Sequence, residues 1–205
     1  MGNNKIAVSG MERTGVSAMA KVTVIGGGSW GIALAVLLHK NGHRITVWSA
    51  LESEIEMLRT QREHKMLPGV KLAEDICFTL EDREAVEGAD LLVMAVASSF
   101  TRRTAERLCP YVAEGQVIVN VAKGIEEHTL MTQAQITEQE IPQAQVAVLS
   151  GPSHAEEVGR GIPTTIVVGA KKRSTAEYIQ NLFMNEVFRV YISPDVLGIE
   201  LGGSL

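Results

Sequence analysis

The chain has 205 residues, 45% of them hydrophobic, which is enough for one domain with a sizeable core. A net charge of −5, with 21% charged residues and no dense run of Lys and Arg, argues against a nucleic-acid-binding surface. No apolar run approaches the roughly 18 residues that cross a bilayer, so we expect no membrane insertion. Cys77 and Cys109 lie far apart and form no disulfide or metal motif. We therefore expect no bound metal and a protein located in a reducing cytoplasm.

The first 18 residues differ from the rest of the chain. They are polar and glycine-bearing and lack the apolar segment of a signal peptide. We expect residues 1–18 to be a disordered leader, an artificial remnant or a misassigned start, lying outside the fold.

From Lys21 onward, short β-rich apolar runs alternate with longer segments of helical period. This pattern is typical of parallel strands joined by crossover helices. Several runs are continuously apolar, as expected for strands covered on both faces. The sequence therefore predicts an α/β fold of Rossmann type, doubly wound, with a mostly parallel sheet of about eight strands. The predicted strands are Lys21–Gly26, Arg44–Trp48, Ile76–Thr79, Asp90–Val96, Gln116–Val121, Gln145–Ser150, Thr164–Gly169 and Phe188–Ile192.

Three helix signals stand between and after these strands. A helix from about Ser29 to Asn41 is apolar nearly all round, and Gly42 is placed to end it. Ser174 and Glu177 have capping-box spacing and predict the start of a later helix. Another helix start follows Ser193–Asp195, where we expect a second unit to begin.

The turn after the first strand carries the clearest chemical signal. Gly26–Gly31 reads G-x-G-x-x-G between a strand and an apolar helix, which is the context of a dinucleotide-binding turn. Gly26 permits the tight turn, Gly28 lets the backbone approach a pyrophosphate, and Gly31 lets the helix pack closely on the strand. The helix start supplies N–H groups to the phosphates. We therefore predict that NAD or NADP binds here.

The end of the second strand does not decide between the two cofactors. An NAD site usually has Asp or Glu there, but the residues present are Trp48–Leu51. Glu52 and Glu54 follow, and on a helix we interpret them as part of a solvated face.

Residues after three later strands face the same edge of a parallel sheet. Ala97–Phe100 forms a turn that passes under a nicotinamide or only caps the next helix. Lys123 is either a solvated lysine or a cation that polarises a substrate carbonyl. The turn Gly151–Glu157 combines an early helical proline with a free hydroxyl and suits a phosphate ester. His154 in this turn is interpreted as structural, since a lone histidine more often packs or bonds structurally.

Four segments together resemble bacterial NAD(P)-dependent glycerol-3-phosphate dehydrogenase: GGGSWGIALA, VNVAKGIE, LSGPSHAEEV and FRVYISPDVLGIELGGSL. The resemblance spans about residues 21–205. It implies a Rossmann-type N-terminal domain followed by an all-helical domain. It also implies interconversion of dihydroxyacetone phosphate and sn-glycerol 3-phosphate for phospholipid synthesis.

The resemblance also assigns roles to residues of this chain. Ser29, Trp30 and Ala155 are expected to contact the cofactor, beside the turn glycines Gly26, Gly28 and Gly31 that the motif already assigns to it. Lys123 is expected to contact cofactor and substrate, and Gly151 and Ser153 to hold substrate. The proton-transferring lysine of the family lies in a segment like GGALKN and is expected directly beyond Leu205.

These expectations define the domains and partners. Residues 19–193 are expected to form the NAD(P)-binding domain and residues 194–205 to begin the helical substrate domain. We expect this chain to bind cofactor without turnover. The partner is a small phosphate-bearing substrate, and the interpretation allows a homodimer of the full-length protein.

Two departures from the family pattern concern the cofactor. Many members have a basic residue after the second strand where Ala50 and Leu51 stand here, and many have a proline at the position of Ala97.

Two rival functions also explain the glycine turn. One is another NAD(P)-dependent reductase of hydroxyacid or ketopantoate type, and the other is a dinucleotide sensor without catalysis.

Overall fold

A computed structural model describes residues 19–204 and shows one sheet of eight strands. The strands are β1 (Lys21–Ile25), β2 (Arg44–Trp48), β3 (Cys77–Thr79), β4 (Leu91–Met94), β5 (Val117–Asn120), β6 (Gln145–Ser150), β7 (Thr164–Ala170) and β8 (Phe188–Ile192). The prediction for residues 1–18 lies outside the described residues.

Eight α-helices connect or follow the strands within residues 19–204. They are α1 (Ser29–Lys40), α2 (Glu52–Gln61), α3 (Asp82–Val86), α4 (Thr101–Leu108), α5 (Gln133–Glu140), α6 (Ala155–Arg160), α7 (Arg173–Phe183) and α8 (Val196–Ser204). In this part of the chain, no helix is both long enough and apolar enough to cross a membrane.

The sheet has the order β3-β2-β1-β4-β5-β6-β7-β8. The first six strands are parallel, β7 is antiparallel to β6, and β8 is parallel to β7. The predicted fold class and the eight strands are confirmed. Several predicted strands were one or two residues too long because their last residues, such as Gly26, already belong to the turns that follow.

The helix α1 lies at the centre of the main core. Its residues 31–38 are all buried, since the helix packs on the sheet and is covered by α6. Its predicted end is confirmed: Gly42 has a φ of +90°, and its N–H donates to the carbonyl of His39 at 2.9 Å. A helix that is apolar all round is buried all round, as the sequence indicated.

The predicted capping box at Ser174 is wrong. The helix α7 begins one residue earlier, at Arg173, and no side chain caps it. Glu177 instead pairs with Arg173 at 2.8 Å, one helical turn away. A true capping box occurs at α5, where the Thr132 hydroxyl accepts from the Gln135 N–H and the Gln135 side chain accepts from the Thr132 N–H.

The strands β1 and β4 lie side by side, and the strand order reverses between them: β2 and β3 follow on the side of β1, and β5 to β8 follow on the side of β4. In open parallel sheets, such a switch point leaves a crevice at the carboxyl ends of the strands, where ligands bind. The ends of β1, β4, β5 and β6 are consecutive neighbours in this sheet. The predicted site residues that follow β1, β5 and β6 therefore lie along one edge.

Candidate functional site

The glycine turn between β1 and α1 is shaped by two close backbone contacts. Gly26 has a φ of +122°, and a Cβ at this position would lie 2.9 Å from the carbonyl of Ala95 at the end of β4. A Cβ on Gly31 would clash with the carbonyl oxygen of Gly26 and stand 3.2 Å from Val24. Only glycine fits these two positions without a backbone shift.

The middle of the same turn is open. A Cβ at Gly28 would meet no atom within 4 Å. Gly28 is also the N-cap of α1, and no side chain of residues 19–204 bonds to the free N–H groups of the first helical turn. These N–H groups and the positive end of the helix dipole are therefore available to an anion.

Trp30 connects the glycine turn to the loop that follows β5. Its indole Nε1 donates to the carbonyl of Val121, just beyond β5, at 3.2 Å, and the half-buried ring packs on the main core. Ser29 is partly exposed at the helix start. Both predicted cofactor contacts thus lie at the switch point.

Glu54, on α2, was misassigned to the solvated face. Its carboxylate accepts from the Ser49 hydroxyl at 2.6 Å and lies against the glycine turn, where a Cβ on Gly27 would be 2.7 Å from Oε2. Glu52 is exposed as expected. The signal for Glu54 was its spacing from the buried Leu58, since residues i and i+4 share one helix face.

Lys123 lies on the loop after β5, and its Nζ donates to the carbonyl of Gly151 at 2.9 Å. The buried Asn120 shapes this loop by accepting from the N–H of Ala122 at 2.9 Å. Gly124 has a φ of +140° and packs so closely on Ser98 that a Cβ would lie 2.8 Å from the serine hydroxyl. The loop is therefore fixed against the turn that follows β4.

Arg102 on α4 neutralises the acid of the same loop. Its guanidinium donates to both carboxylate oxygens of Glu126, at 2.8 and 2.7 Å, and also contacts Glu140. These bonds from Arg102, with another from Thr129, lower the pKa of Glu126 to about 2. Glu126 is therefore engaged by Arg102 and is not a partner of Lys123.

The helix α8 supports the Lys123 loop from a distant part of the sequence. The Ser204 hydroxyl accepts from the N–H of Gly124 at 2.9 Å and donates to the carbonyl of Glu200. The Glu200 carboxylate accepts from the N–H of Ala134 at 2.8 Å, in the first turn of α5. Burial raises the pKa of Glu200 above its usual value. Sequence patterns gave no sign of these contacts.

The turn after β6 holds the other predicted substrate residues. A Cβ on Gly151 would lie 3.1 Å from the backbone of Ile166, so the turn passes close to β7. The Ser153 hydroxyl lies 3.4 Å from the Gly151 carbonyl. His154 is the exposed N-cap of α6, and Ala155 begins that helix, packed against the main core. Ala155 therefore begins a helix that packs against α1, the helix that follows the glycine turn.

A cavity of about 560 Å³ opens between the Lys123 loop, the end of β6 and α8. Lys123 and Gly151 line it, together with Ser150, Ser193, Asp195 and Gly203. The Ser150 hydroxyl is buried and has no hydrogen-bond partner within residues 19–204. The glycine turn and Ser153 lie outside the lining, on the same sheet edge. The structure thus offers an anion cradle and, on the same sheet edge, a cavity whose lining includes the cation Lys123.

Comparisons with known proteins agree with this geometry. Residues 21–176 match the family described as NAD-dependent glycerol-3-phosphate dehydrogenase N-terminus. A curated relative from Agathobacter rectalis, glycerol-3-phosphate dehydrogenase [NAD(P)+], is 61% identical over 91% of this chain and 56% of its own length. The relative of the same name from Fusobacterium nucleatum is 54% identical over 91% of this chain and 57% of its own length.

A solved structure is also similar. The crystal structure of glycerol-3-phosphate dehydrogenase from Coxiella burnetii superposes with a TM-score of 0.85 at 25% identity, over 90% of this chain and 57% of that one. The chain therefore spans little more than half the length of these relatives.

Proposed function

Since the chain belongs to the NAD-dependent glycerol-3-phosphate dehydrogenase N-terminus family, we propose that it is the dinucleotide-binding part of a glycerol-3-phosphate dehydrogenase. The reaction is the NAD(P)-dependent interconversion of dihydroxyacetone phosphate and sn-glycerol 3-phosphate, feeding phospholipid synthesis in the cytoplasm. The observation that carries the proposal is the glycine turn, cramped at Gly26 and Gly31 and open at Gly28.

The residues present fit a dinucleotide. A pyrophosphate needs backbone N–H groups and no intervening side chain, and the turn provides both at Gly28. Ser29, Trp30 and Ala155 border this place and are the proposed further contacts. When bound, the nicotinamide supplies hydride transfer to or from C2 of the substrate.

Lys123 is the proposed electrostatic catalyst. Its ammonium has three N–H donors, one of which is used by the Gly151 carbonyl. The remaining donors are available to a substrate oxygen in the cavity, where a cation stabilises the charge that develops on a reduced carbonyl. Gly151 and Ser153 are proposed to hold the substrate beside it.

The proton-exchanging group is proposed to be a lysine beyond Leu205. This assignment rests on the family resemblance and on the cavity, because residues of α8 as far as Gly203 line that cavity. We further propose that residues 19–193 form the cofactor domain and that residues 194–205 begin a helical substrate domain. On this proposal the chain binds cofactor without turnover, and the full-length protein is a homodimer.

Titration of the purified chain with NADH, followed by tryptophan fluorescence and calorimetry, tests the cofactor assignment. Gly28→Ala is the decisive variant, because its methyl group enters open space in the free protein but stands where the pyrophosphate approaches. We expect NADH affinity to fall at least tenfold, on the order of the loss of one charge-assisted bond. The melting temperature should stay nearly unchanged, since alanine at an N-cap costs at most about 1 kcal/mol relative to glycine. Unchanged affinity in this variant would contradict the proposed turn.

The substrate assignment needs the full-length protein. We expect it to oxidise NADH or NADPH when given dihydroxyacetone phosphate, and Lys123→Met to lose most of this activity while still binding dinucleotide. A full-length protein that ignores dihydroxyacetone phosphate but reduces another keto compound would overturn the substrate assignment and leave the cofactor assignment standing.

A further inference from the structure

The end of β2 is where dinucleotide-binding sheets discriminate between NAD and NADP. An acid at this position bonds the hydroxyls of the adenosine ribose and repels the additional 2′-phosphate of NADP. In this chain the residues directly after β2 are Ser49, Ala50 and Leu51, none of which is acidic. The strand itself therefore provides no discriminating group.

The helix α2 brings an acid to this place instead. The Ser49 hydroxyl donates to Glu54 Oε2 at 2.6 Å and itself accepts from the N–H of Leu51 at 3.1 Å. The same carboxylate touches the glycine turn, since a Cβ on Gly27 would lie 2.7 Å from Oε2 and 2.9 Å from Cδ. Glu54 thus sits between the end of β2 and the turn that cradles the pyrophosphate.

One carboxylate oxygen remains available. Serine holds Oε2, while Oε1 makes no hydrogen bond to any residue of the described part of the chain. A carboxylate oxygen at this place is a good acceptor for a ribose hydroxyl, because hydrogen bonds to charged acceptors are stronger than neutral ones.

Within the described residues, no cation forms an ion pair with Glu54. The two arginines of this region are engaged elsewhere: Arg59 donates to the carbonyl of Phe78 at 2.6 Å, and Arg62 to that of Ile76 at 2.9 Å. Burial lowers the pKa of His64, only partly offset by the charge of Glu54, so this imidazole is neutral at neutral pH. Lys65 is the one exposed cation adjacent to His64.

We propose that Glu54 is the specificity-determining residue for the cofactor, accepting a hydrogen bond from the adenosine ribose and excluding the 2′-phosphate, so that this protein prefers NAD(H) to NADP(H). The proposal rests on the proposed function and specifies it further. A 2′-phosphate carries nearly two negative charges at neutral pH, and at this place it would meet a carboxylate fixed by Ser49.

The test compares Glu54→Gln with Glu56→Gln. Both variants remove one negative charge from α2, but Glu56 is exposed, and Glu54 is the acid that a Cβ on Gly27 would meet. Each purified chain is titrated with NADH and NADPH, and with 5′-AMP and 2′-phospho-5′-AMP, which carry only the adenosine end. The melting temperature of each variant is measured in parallel.

The wild-type chain should bind NADH about tenfold or more tightly than NADPH, a gap that narrows with added salt because charge repulsion is screened. Glu54→Gln should weaken NADH binding and bring the two affinities within about threefold of each other. The adenosine ligands should show the same change, and Glu56→Gln should behave as wild type.

Two kinds of outcome separate this inference from the proposed function. If both cofactors bind but the wild type prefers NADPH, or if Glu54→Gln keeps the wild-type ratio, the role of Glu54 is wrong and the glycine turn stands. A wild-type preference for NADPH that is lost in Lys65→Gln would assign the opposite specificity to that lysine. If no dinucleotide binds, both the inference and the proposed function fail.

Discussion

The glycine turn and the Lys123 loop lie on the same sheet edge but are built in different ways. The turn is fixed by backbone contacts, chiefly the lack of space for a Cβ at Gly26 and Gly31. The loop around Lys123 is fixed by side chains, including Ser204, which lies 80 residues from Gly124 in sequence.

This difference determines how each region responds to change. In the turn, a side chain added at Gly26 or Gly31 would clash with backbone atoms, whereas Gly28 has space for one. A loop held by separate hydrogen bonds loses its support one bond at a time. We therefore expect large, all-or-none effects in the turn and smaller, local effects around Lys123.

The largest effect is expected from Gly31→Ala. The new methyl group would clash with the carbonyl of Gly26 and crowd Val24, so the buried start of α1 must move. Overpacking of this kind costs about 1–3 kcal/mol, which urea denaturation would measure. Gly28→Ala is the matched control, because its methyl group enters open space. Equal free energies of unfolding for the two variants would contradict the close backbone packing at Gly31.

A smaller and local effect is expected from Ser204→Ala. The change removes the acceptor of the Gly124 N–H, and one lost hydrogen bond is worth about 0.5–1.5 kcal/mol. Amide hydrogen exchange should become faster at Gly124, while the amide of Gly26, which donates to the Trp48 carbonyl at 2.8 Å, should keep its protection. Faster exchange at both amides would mean that the two regions are not separate.

The smallest effect is expected from pH, acting through Glu200. Its pKa is raised in the folded chain, so the folded state holds this proton more tightly than the unfolded state does. The contribution of Glu200 is then fully present below its usual pKa of 4.5 and is lost as pH rises through the folded value. Thermal melting from pH 4 to 8 should show that the wild type loses stability relative to Glu200→Gln as pH rises, because the other titrating groups act equally in both proteins. A wild-type curve that rises relative to the variant would contradict the raised pKa.

Much of the fold was predictable because its signals are local. Continuous apolar runs marked the eight strands, and the apolar circumference of the segment after Ser29 marked α1 as buried. The glycine turn was predictable for the same reason, since its chemistry depends on missing side chains that the sequence shows directly.

The rest of the site depends on contacts between distant residues. The contacts of Glu200 and Ser204 follow from how α8 packs, and no short pattern contains that information, whereas the spacing of Glu54 from the buried Leu58 was a local signal. The capping box assigned to Ser174 failed for a different, local reason: the spacing was correct, but α7 begins at Arg173, and Glu177 pairs with that arginine one helical turn away.

The reversed direction of β7 and β8 has a consequence for the chain that leaves them. Because β8 ends at Ile192, beside Val168 and so level with Leu149 near the carboxyl end of β6, α8 begins next to the cavity and packs on β6 and β7 before Ser204 reaches Gly124. One residue inserted between Ile192 and Val196 would rotate the helix by about 100° and carry Glu200 and Ser204 away from their partners. The length of the three-residue link Ser193–Asp195 therefore sets the rotation of α8 about its own axis. We expect this length to tolerate less variation than that of an exposed turn.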